Sequence, residues 1–176
     1  MTSIDLKTDF FKRSVLEVAP DLLGKVLVRK SDLNIIKTVI TEVEAYDGEK
    51  DKACHASRGR SPRNEVMYGY SGFWYVYLVY GMHNMLNVVT GEVGYPAAVL
   101  IRGVDKINGP GRLTKFLSVD REFNKKEVSK ETGLWIEEGP FRPSFDEIKR
   151  TKRIGVDYAK EWSDKPYRFL WNPKIN

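Results

Sequence analysis

The sequence predicts an α+β fold in a single domain. Its 176 residues, 41% of them hydrophobic, have the size and composition of one ordinary globular domain, and no internal repeat or linker-like segment divides them. At least four segments are rich in β-branched and aromatic residues. These segments do not alternate regularly with helical patterns and are not uniformly apolar, which favours α+β over a doubly wound sheet.

The first predicted elements are a short helix and two strands. Pro20 and Asp21 mark the start of a helix that ends at Gly24. The segments Lys25–Lys30 and Ile35–Tyr46 have strand composition, and the polar residues between them predict a hairpin.

The second half of the chain continues with strands and one helix. Trp74–Tyr80 and Ala97–Arg102 are further strand candidates. Asn108–Gly111 interrupts the chain before a helix over Arg112–Leu117. The highly charged segment Arg121–Glu138 alternates in sign, which is typical of a solvated surface excursion.

The composition restricts the chemistry. Cys54 is the only cysteine, so an internal disulfide is excluded and a reducing compartment is favoured. With only two histidines besides it, neither a Cys/His zinc site nor a zinc deaminase site can be assembled. We therefore expect metal-free chemistry without a cofactor. The mixed polar segment Met1–Lys12 lacks the apolar core of an export signal, and polar residues interrupt the uncharged stretch Val66–Gly91, so we expect a cytoplasmic protein with no membrane span.

Two carboxylates fall on one strand face. Glu42, Glu44 and Tyr46 alternate along a predicted strand and therefore point the same way. Two carboxylates so close repel each other, so one is held with a raised pKa, or one pairs with an arginine. The simpler alternative is that both are solvated on a half-exposed strand.

Aromatic and basic residues surround this pair in the sequence. Seven aromatic residues lie between Tyr68 and Tyr80; Trp74 is expected in the core, while Tyr75 and Tyr77 point to the other face and can stack on a base. Tyr80 precedes a glycine, so it is expected to project where the strand turns.

Three arginines follow in a loop. Arg58, Arg60 and Arg63 suit contacts to phosphate, and Gly109–Gly111 leads into a helix that carries Arg112. The net charge of +5 and the pI of about 9.2 favour a polyanionic partner, although solubility alone also explains such a charge. A base-activating carboxylate, aromatic faces and phosphate-binding arginines together indicate an enzyme that acts on a nucleobase.

These residues resemble a known family, the alkyladenine (3-methyladenine) DNA glycosylases. The resemblance covers about residues 22–169 and is carried by Glu42-x-Glu44-Ala-Tyr46-x-Gly48, Asp51-x-Ala53-x-His55, Pro62-Arg63-Asn64-x-x-Met67, Tyr75-Val-Tyr77-x-x-Tyr80-Gly81-Met82, Asn87, Val99-Leu-x-Arg102, Gly109-Pro110 and Arg153-x-Gly155.

The resemblance implies a compact domain with a curved, mainly antiparallel sheet and peripheral helices. It implies an enzyme that flips alkylated or deaminated purines out of duplex DNA and hydrolyses the N-glycosidic bond with water, without a metal or a covalent intermediate. 3-Methyladenine and 7-methylguanine are the expected substrates, and hypoxanthine is an open candidate. Double-stranded DNA is the expected partner, at the nucleoid, and a monomer is expected by analogy.

The resemblance also implies roles for single residues. Glu44 is the general base, and Arg102 helps to hold the water and a phosphate. Tyr46 and His55 form one wall of the base pocket, and Tyr77 stacks on the opposite side of the base.

The remaining implied roles concern discrimination and DNA contact. Asn87 guards the pocket against bases with extra exocyclic groups. Tyr80 is the wedge that fills the vacated stack, and Met82, Arg63 and Arg112 contact the DNA.

Two other classes of function compete with this interpretation. A nucleic-acid-binding module with the same aromatics and arginines predicts binding without lesion preference and without base release. A nuclease or phosphodiesterase predicts a cluster of carboxylates for metal ions, which the sequence does not contain.

Overall fold

The predicted α+β fold is confirmed by a nine-stranded sheet. The structure, a computed structural model, describes residues 5–173; the first four residues of the Met1–Lys12 segment lie outside them. Every pairing between the strands is antiparallel, and the main path runs in the order β3-β4-β5-β2-β1-β7. The strands are β1 (Val26–Lys30), β2 (Ile35–Asp47), β3 (Trp74–Val79), β4 (His83–Val89), β5 (Ala97–Val104), β6 (Ile107–Asn108), β7 (Leu134–Glu137), β8 (Lys149–Thr151) and β9 (Arg168–Leu170).

The helices are short and peripheral. They are α1 (Thr8–Phe11), α2 (Val15–Asp21) and α3 (Pro110–Phe116), with 3-10 turns at His55–Arg58, Glu65–Tyr68, Arg121–Phe123, Phe145–Glu147 and Asp157–Trp162.

The predicted start of the first helix at Pro20 is wrong. Helix α2 begins earlier, where the side chain of Glu17 accepts hydrogen bonds from the backbone and the hydroxyl of Ser14, so a capping box sets its start. Pro20 lies in the last turn instead. The predicted end is also wrong: α2 ends at Asp21, and Gly24 lies in the turn that follows, with a φ of 84°.

The long strand β2 connects the two parts of the sheet. Its first half pairs with β1, from Ile35 to Val39, and its second half pairs with β5 and β9. The register shifts between Ile40 and Val43, which marks a β-bulge. Glu44 follows the bulge and has a strand on each edge, with Leu100 of β5 on one side and Arg168 of β9 on the other. Tyr46 pairs with Ala98 of β5.

Five strands lie outside the four predicted segments, namely β4, β6, β7, β8 and β9. Leu134–Glu137 falls within the segment predicted to be a surface excursion, yet all four residues are buried and pair with β1. The prediction failed because the residues on either side of this short strand are highly charged. The indole N–H of Trp74 donates to the Leu134 carbonyl over 3.0 Å. Strand β4 was hidden by its polar residues, which include His83 and Asn87.

The sheet has apolar side chains on both faces. A large cluster includes Trp74 and the buried residues of α2, β1 and β7. A smaller cluster around Met67, Tyr75 and Ala98 lies beneath the aromatic residues of the candidate site. Within residues 5–173, no helix has the length and apolar character needed to cross a membrane.

Candidate active site

Glu44 is the buried carboxylate at the centre of the site. Its side chain has no exposed surface. One oxygen, Oε2, accepts a hydrogen bond from the hydroxyl of Tyr46 at 2.8 Å. The other, Oε1, accepts a hydrogen bond from the backbone N–H of Ile154 at 2.8 Å. Nε of Arg102 lies 3.5 Å from Oε1. The carboxylate is thus held in one orientation by hydrogen-bond donors from β2 and from the segment after β8, beside a guanidinium from β5.

Burial has the largest effect on the pKa of Glu44. Burial raises the pKa of Glu44 above its ordinary value, while Arg102, the Ile154 N–H, the Tyr46 hydroxyl and Arg153 lower that pKa in part. A carboxylate with a raised pKa is a stronger base once ionised, which suits proton abstraction from water.

Glu42 is the second buried carboxylate, and it forms ion pairs. Its Oε1 accepts hydrogen bonds from Nε of Arg102 at 2.9 Å and from Nε of Arg168 at 2.7 Å. The alternative in which both carboxylates are solvated is therefore wrong, since Glu42 is only 6% exposed. The two expected fates of such a pair both occur: Glu44 has the raised pKa, and Glu42 pairs with arginines.

An aromatic cleft lies next to Glu44. Strands β2, β3, β4 and β5 and the loop after β2 contribute its lining. The lining residues are Tyr46, Ala53, His55, Met67, Tyr75, Tyr77, Asn87 and Ala98. Four predicted base-binding residues, Tyr46, His55, Tyr77 and Asn87, are thus brought together.

His55 is held in the cleft as a neutral imidazole. Its Nδ1 lies 2.8 Å from the Tyr75 hydroxyl oxygen, and its ring meets that of Tyr77 edge to face at 4.6 Å between centroids. Burial lowers the pKa of His55 to about 4, with further lowering by Arg63 and Arg58. Burial also raises the pKa of Tyr75 and of Tyr77, so these rings are uncharged at pH 7.

Asn87 is a fixed polar group in the lining. Its Nδ2 donates to the carbonyl oxygens of Tyr75 at 3.1 Å and Met85 at 3.3 Å. The side chain is 2% exposed, so these bonds fix the amide plane within the cleft.

The β3–β4 hairpin presents two exposed hydrophobic residues at its tip. Tyr80 is 90% exposed and Met82 is 70% exposed. Tyr80 and Gly81 have φ of 51° and 69°, and the Met82 N–H donates to the Val79 carbonyl, as expected for a tight hairpin turn. A tyrosine in the left-handed region is strained, and such strain is concentrated at functional sites. The sequence-based placement of Tyr80 at a projecting turn is correct.

The predicted DNA-contact arginines lie at the surface. Arg63 is exposed, its guanidinium stacks on Tyr77 at 5.2 Å, and it donates to the Leu78 carbonyl. Arg112 is exposed on the first turn of α3. That helix packs against the hairpin strand β4, where the Thr114 hydroxyl donates to the Asn84 carbonyl over 2.9 Å.

Two residues that the sequence analysis gave no role complete the site. Arg153 and Asp51 form a buried ion pair, and the guanidinium of Arg153 stacks on Tyr46 at 4.8 Å. Both residues stand in the motifs that carry the resemblance, so their spacing was a usable signal. The sequence alone could not predict that these two residues, which lie 102 positions apart, form a pair.

Within residues 5–173, no three His, Cys, Asp or Glu side chains come together as a set of metal ligands.

Comparison with known proteins assigns the chain to a family. A family model described as methylpurine-DNA glycosylase matches residues 9–108 and 104–174. A protein of Methanocella arvoryzae is 45% identical over 93% of this chain and 90% of its own length. A protein of Sodalis glossinidius is 46% identical over 93% of this chain and 95% of its own length. One from Legionella pneumophila (strain Lens) is 42% identical over 97% of each chain.

Each of these three relatives carries the name "Putative 3-methyladenine DNA glycosylase". The family model and the relatives all cover nearly the whole chain, including the aromatic cleft and Glu44. The chain therefore belongs to the methylpurine-DNA glycosylase family, a family of DNA-repair enzymes.

Proposed function

We propose that this protein is a monofunctional DNA glycosylase that removes N-alkylated purines, such as 3-methyladenine and 7-methylguanine, from double-stranded DNA. The observation that carries the proposal is the position of Glu44, a buried carboxylate with a raised pKa beside an aromatic cleft. The clustering of Tyr46, His55, Tyr77 and Asn87 in this cleft supports it.

The cleft suits one flipped base. Its lining combines aromatic rings with one fixed amide, a combination that suits a flat heterocycle with polar edges. A purine methylated at N3 or N7 is cationic, and neutral aromatic faces attract a cation by about 0.5–2 kcal/mol. Because His55 has a pKa of about 4, it adds no positive charge that would repel this base at pH 7.

The chemical step needs one base and a positioned water. The water oxygen bonds to C1′ while the bond from C1′ to the purine nitrogen breaks, and the departing purine takes the bonding electrons and leaves as a neutral molecule. Glu44 accepts the proton that the water loses. Arg102, whose Nε lies 3.5 Å from Glu44 Oε1, is placed to hold the water and the neighbouring phosphate.

Flipping requires that the vacated stack be filled. Tyr80 and Met82 are exposed at the tip of the β3–β4 hairpin, and an aromatic wedge there replaces the stacking of the extruded base. A damaged base pairs weakly, which reduces the few kcal/mol that flipping requires. Arg63 and Arg112 contribute positive charge to the phosphate backbone.

The partner and its location follow from this chemistry. Duplex DNA with damaged purines is the partner, so we expect the protein to work in the cytoplasm at the nucleoid. One cleft serves one lesion, so a monomer suffices.

The test is incubation of the purified protein with a duplex that carries one N-methylated purine, both with and without EDTA. We expect release of the free methylated base, and strand breaks only after hot alkali. Breaks without alkali that EDTA abolishes would indicate a nuclease. Binding without release of the base would indicate a lesion-binding module.

A further inference from the structure

Arg153 and Asp51 form an ion pair that is completely buried. Neither side chain has exposed surface, and Nη1 and Nη2 of Arg153 contact the two carboxylate oxygens at 2.5 and 2.8 Å. The same oxygens accept the backbone N–H groups of Asp47 and Ala53, each at 3.0 Å. Burying two charges is expensive, and a hydrophobic pair is often as stable, so stability alone is a weak explanation for this pair.

Two further contacts of Arg153 go to the strand that carries the active-site residues. Nη1 donates to the Ala45 carbonyl at 2.8 Å, and Nη2 donates to the Trp162 carbonyl at 3.1 Å. Ala45 lies between Glu44 and Tyr46 on β2. The guanidinium also stacks on the Tyr46 ring, with 4.8 Å to its centroid. Arg153 thus connects β2, the strand that carries Glu44 and Tyr46, to Asp51 and to the Trp162 backbone.

The residue after Arg153 contacts Glu44 directly. The N–H of Ile154 donates to Glu44 Oε1 at 2.8 Å, while the hydroxyl of Tyr46 donates to Oε2 at 2.8 Å. Arg153 precedes Ile154, the first donor, in the chain, and its guanidinium stacks on the ring of Tyr46, the second donor. A displacement of its guanidinium therefore changes both hydrogen bonds of Glu44.

We propose that Arg153, held by Asp51, is a positioning residue that keeps the Ile154 N–H and the Tyr46 hydroxyl on the two oxygens of Glu44. It thereby fixes the direction from which the carboxylate meets the water. The proposal rests on Glu44 acting as the general base, as in the proposed function. Arg153 itself does not touch the reacting atoms.

The charge of Arg153 also acts on Glu44. The groups that face Glu44 are Arg102 from β5, Tyr46 from β2, Tyr77 from β3, and Arg153 with the Ile154 N–H from the segment after β8. Arg102 and Arg153 are the cations among them, and both lower the pKa of Glu44. Removal of the Arg153 charge therefore raises that pKa further, which moves the acidic limb of the excision rate to higher pH.

The experiment measures single-turnover excision of an N-methylated purine against pH, together with the affinity for the lesion duplex. The main variant is Asp51→Asn with Arg153→Gln, which removes both charges and keeps two amides that can bond. Arg153→Lys is the second variant; it keeps the charge but loses the forked geometry. Arg150→Gln, an exposed arginine that stacks on Phe145, is the matched control. Val28→Ala in the distant core of β1 controls for lost stability.

We expect the double variant to bind the lesion duplex as the wild type does but to excise the base roughly 10–100-fold more slowly per folded molecule, since a misplacement of about 1 Å can reduce a rate 10²-fold. Its acidic limb shifts to higher pH, whereas that of Arg153→Lys stays in place at a reduced rate. The two controls keep the wild-type limb.

Two outcomes would overturn parts of the account, and they are distinguishable. If Glu44→Gln is inactive while both Arg153 variants have the wild-type rate and limb, the pair is only structural and the proposed function stands. If Glu44→Gln excises the base normally, the proposed function itself fails. Should the double variant not fold, Arg153→Lys alone decides between these outcomes through its rate at unchanged affinity.

Discussion

Replacing Glu44 by Gln is expected to stabilise the fold while it removes the proposed base. Gln has nearly the same shape, and its amide retains partners in the Ile154 N–H and the Tyr46 hydroxyl. Arg102 keeps its ion pair with Glu42 at 2.9 Å. The substitution therefore removes mainly the buried charge.

The expected change in the free energy of unfolding is the difference between two opposing effects of Glu44→Gln. Desolvation of a buried carboxylate costs several kcal/mol. Its two charge-assisted hydrogen bonds are each worth about 1 kcal/mol more than the neutral bonds that replace them, so about 2 kcal/mol is lost in the variant. We expect a net gain of roughly 1–2 kcal/mol in the free energy of unfolding, or about 2–8 °C in Tm for a chain of this length.

The stability that Glu44→Gln gains over the wild type increases as pH rises. Burial raises the pKa of Glu44 in the folded protein above its value in the unfolded chain, so the folded state favours the proton. The wild type therefore loses stability as pH rises from the unfolded pKa through the folded pKa, whereas Gln does not titrate. The advantage of the variant is absent near pH 4, grows as pH rises, and then becomes constant.

The assay is urea denaturation of the wild type and the variant from pH 4 to pH 8. Glu137→Gln, a buried carboxylate on β7 away from the cleft, is the comparison for the effect of the substitution type. A Glu44→Gln protein that is less stable than the wild type at pH 7 would show that the buried charge of Glu44 does not destabilise the fold. So would a difference that does not change with pH.

The remaining predictions concern the wedge, the ion pair and the pH dependence of the reaction. Tyr80→Ala is expected to weaken affinity for lesion DNA and slow excision without lowering Tm, whereas Tyr70→Ala, a similarly exposed tyrosine, changes none of the three; equal behaviour of both variants would make Tyr80 an ordinary surface residue. Asp51→Ala is expected to lower the free energy of unfolding by about 3–5 kcal/mol, because it leaves a buried cation unpaired; a urea titration that gives less than about 1 kcal/mol would contradict a buried pair. The rate of excision of a cationic lesion is expected to rise with pH as Glu44 loses its proton, with a midpoint above 4.5; because His55 has a pKa of about 4, His55→Gln should leave this limb in place, and its disappearance would assign the limb to His55.

Much of the fold was accessible from local patterns. The β1–β2 hairpin was predicted to within one residue at each strand end, because turn residues separate two apolar strands. Leu134–Glu137 was not accessible: its four residues become a strand only because β1 offers an edge to pair with. The start of α2 was misplaced because the proline signal was ranked above the capping pair Ser14 and Glu17.

The site was predictable where the chemistry is local in sequence. Glu44 and Tyr46 alternate on one strand, so their contact follows from strand geometry. Arg153 lies more than a hundred residues away, and only the packing of the segment after β8 against β2 brings it to Asp51. The roles of the individual residues and the single-domain organisation stay predictions.

The most direct test of the central claim compares single-turnover excision by the wild type, Glu44→Gln and Glu137→Gln on a duplex with one N-methylated purine. General-base catalysis typically contributes about 10²–10⁴-fold, so Glu44→Gln should excise at least roughly 100-fold more slowly while it binds the lesion duplex normally. Glu137→Gln should retain the wild-type rate. Near-normal excision by Glu44→Gln would contradict the assignment of Glu44 as the base that activates water.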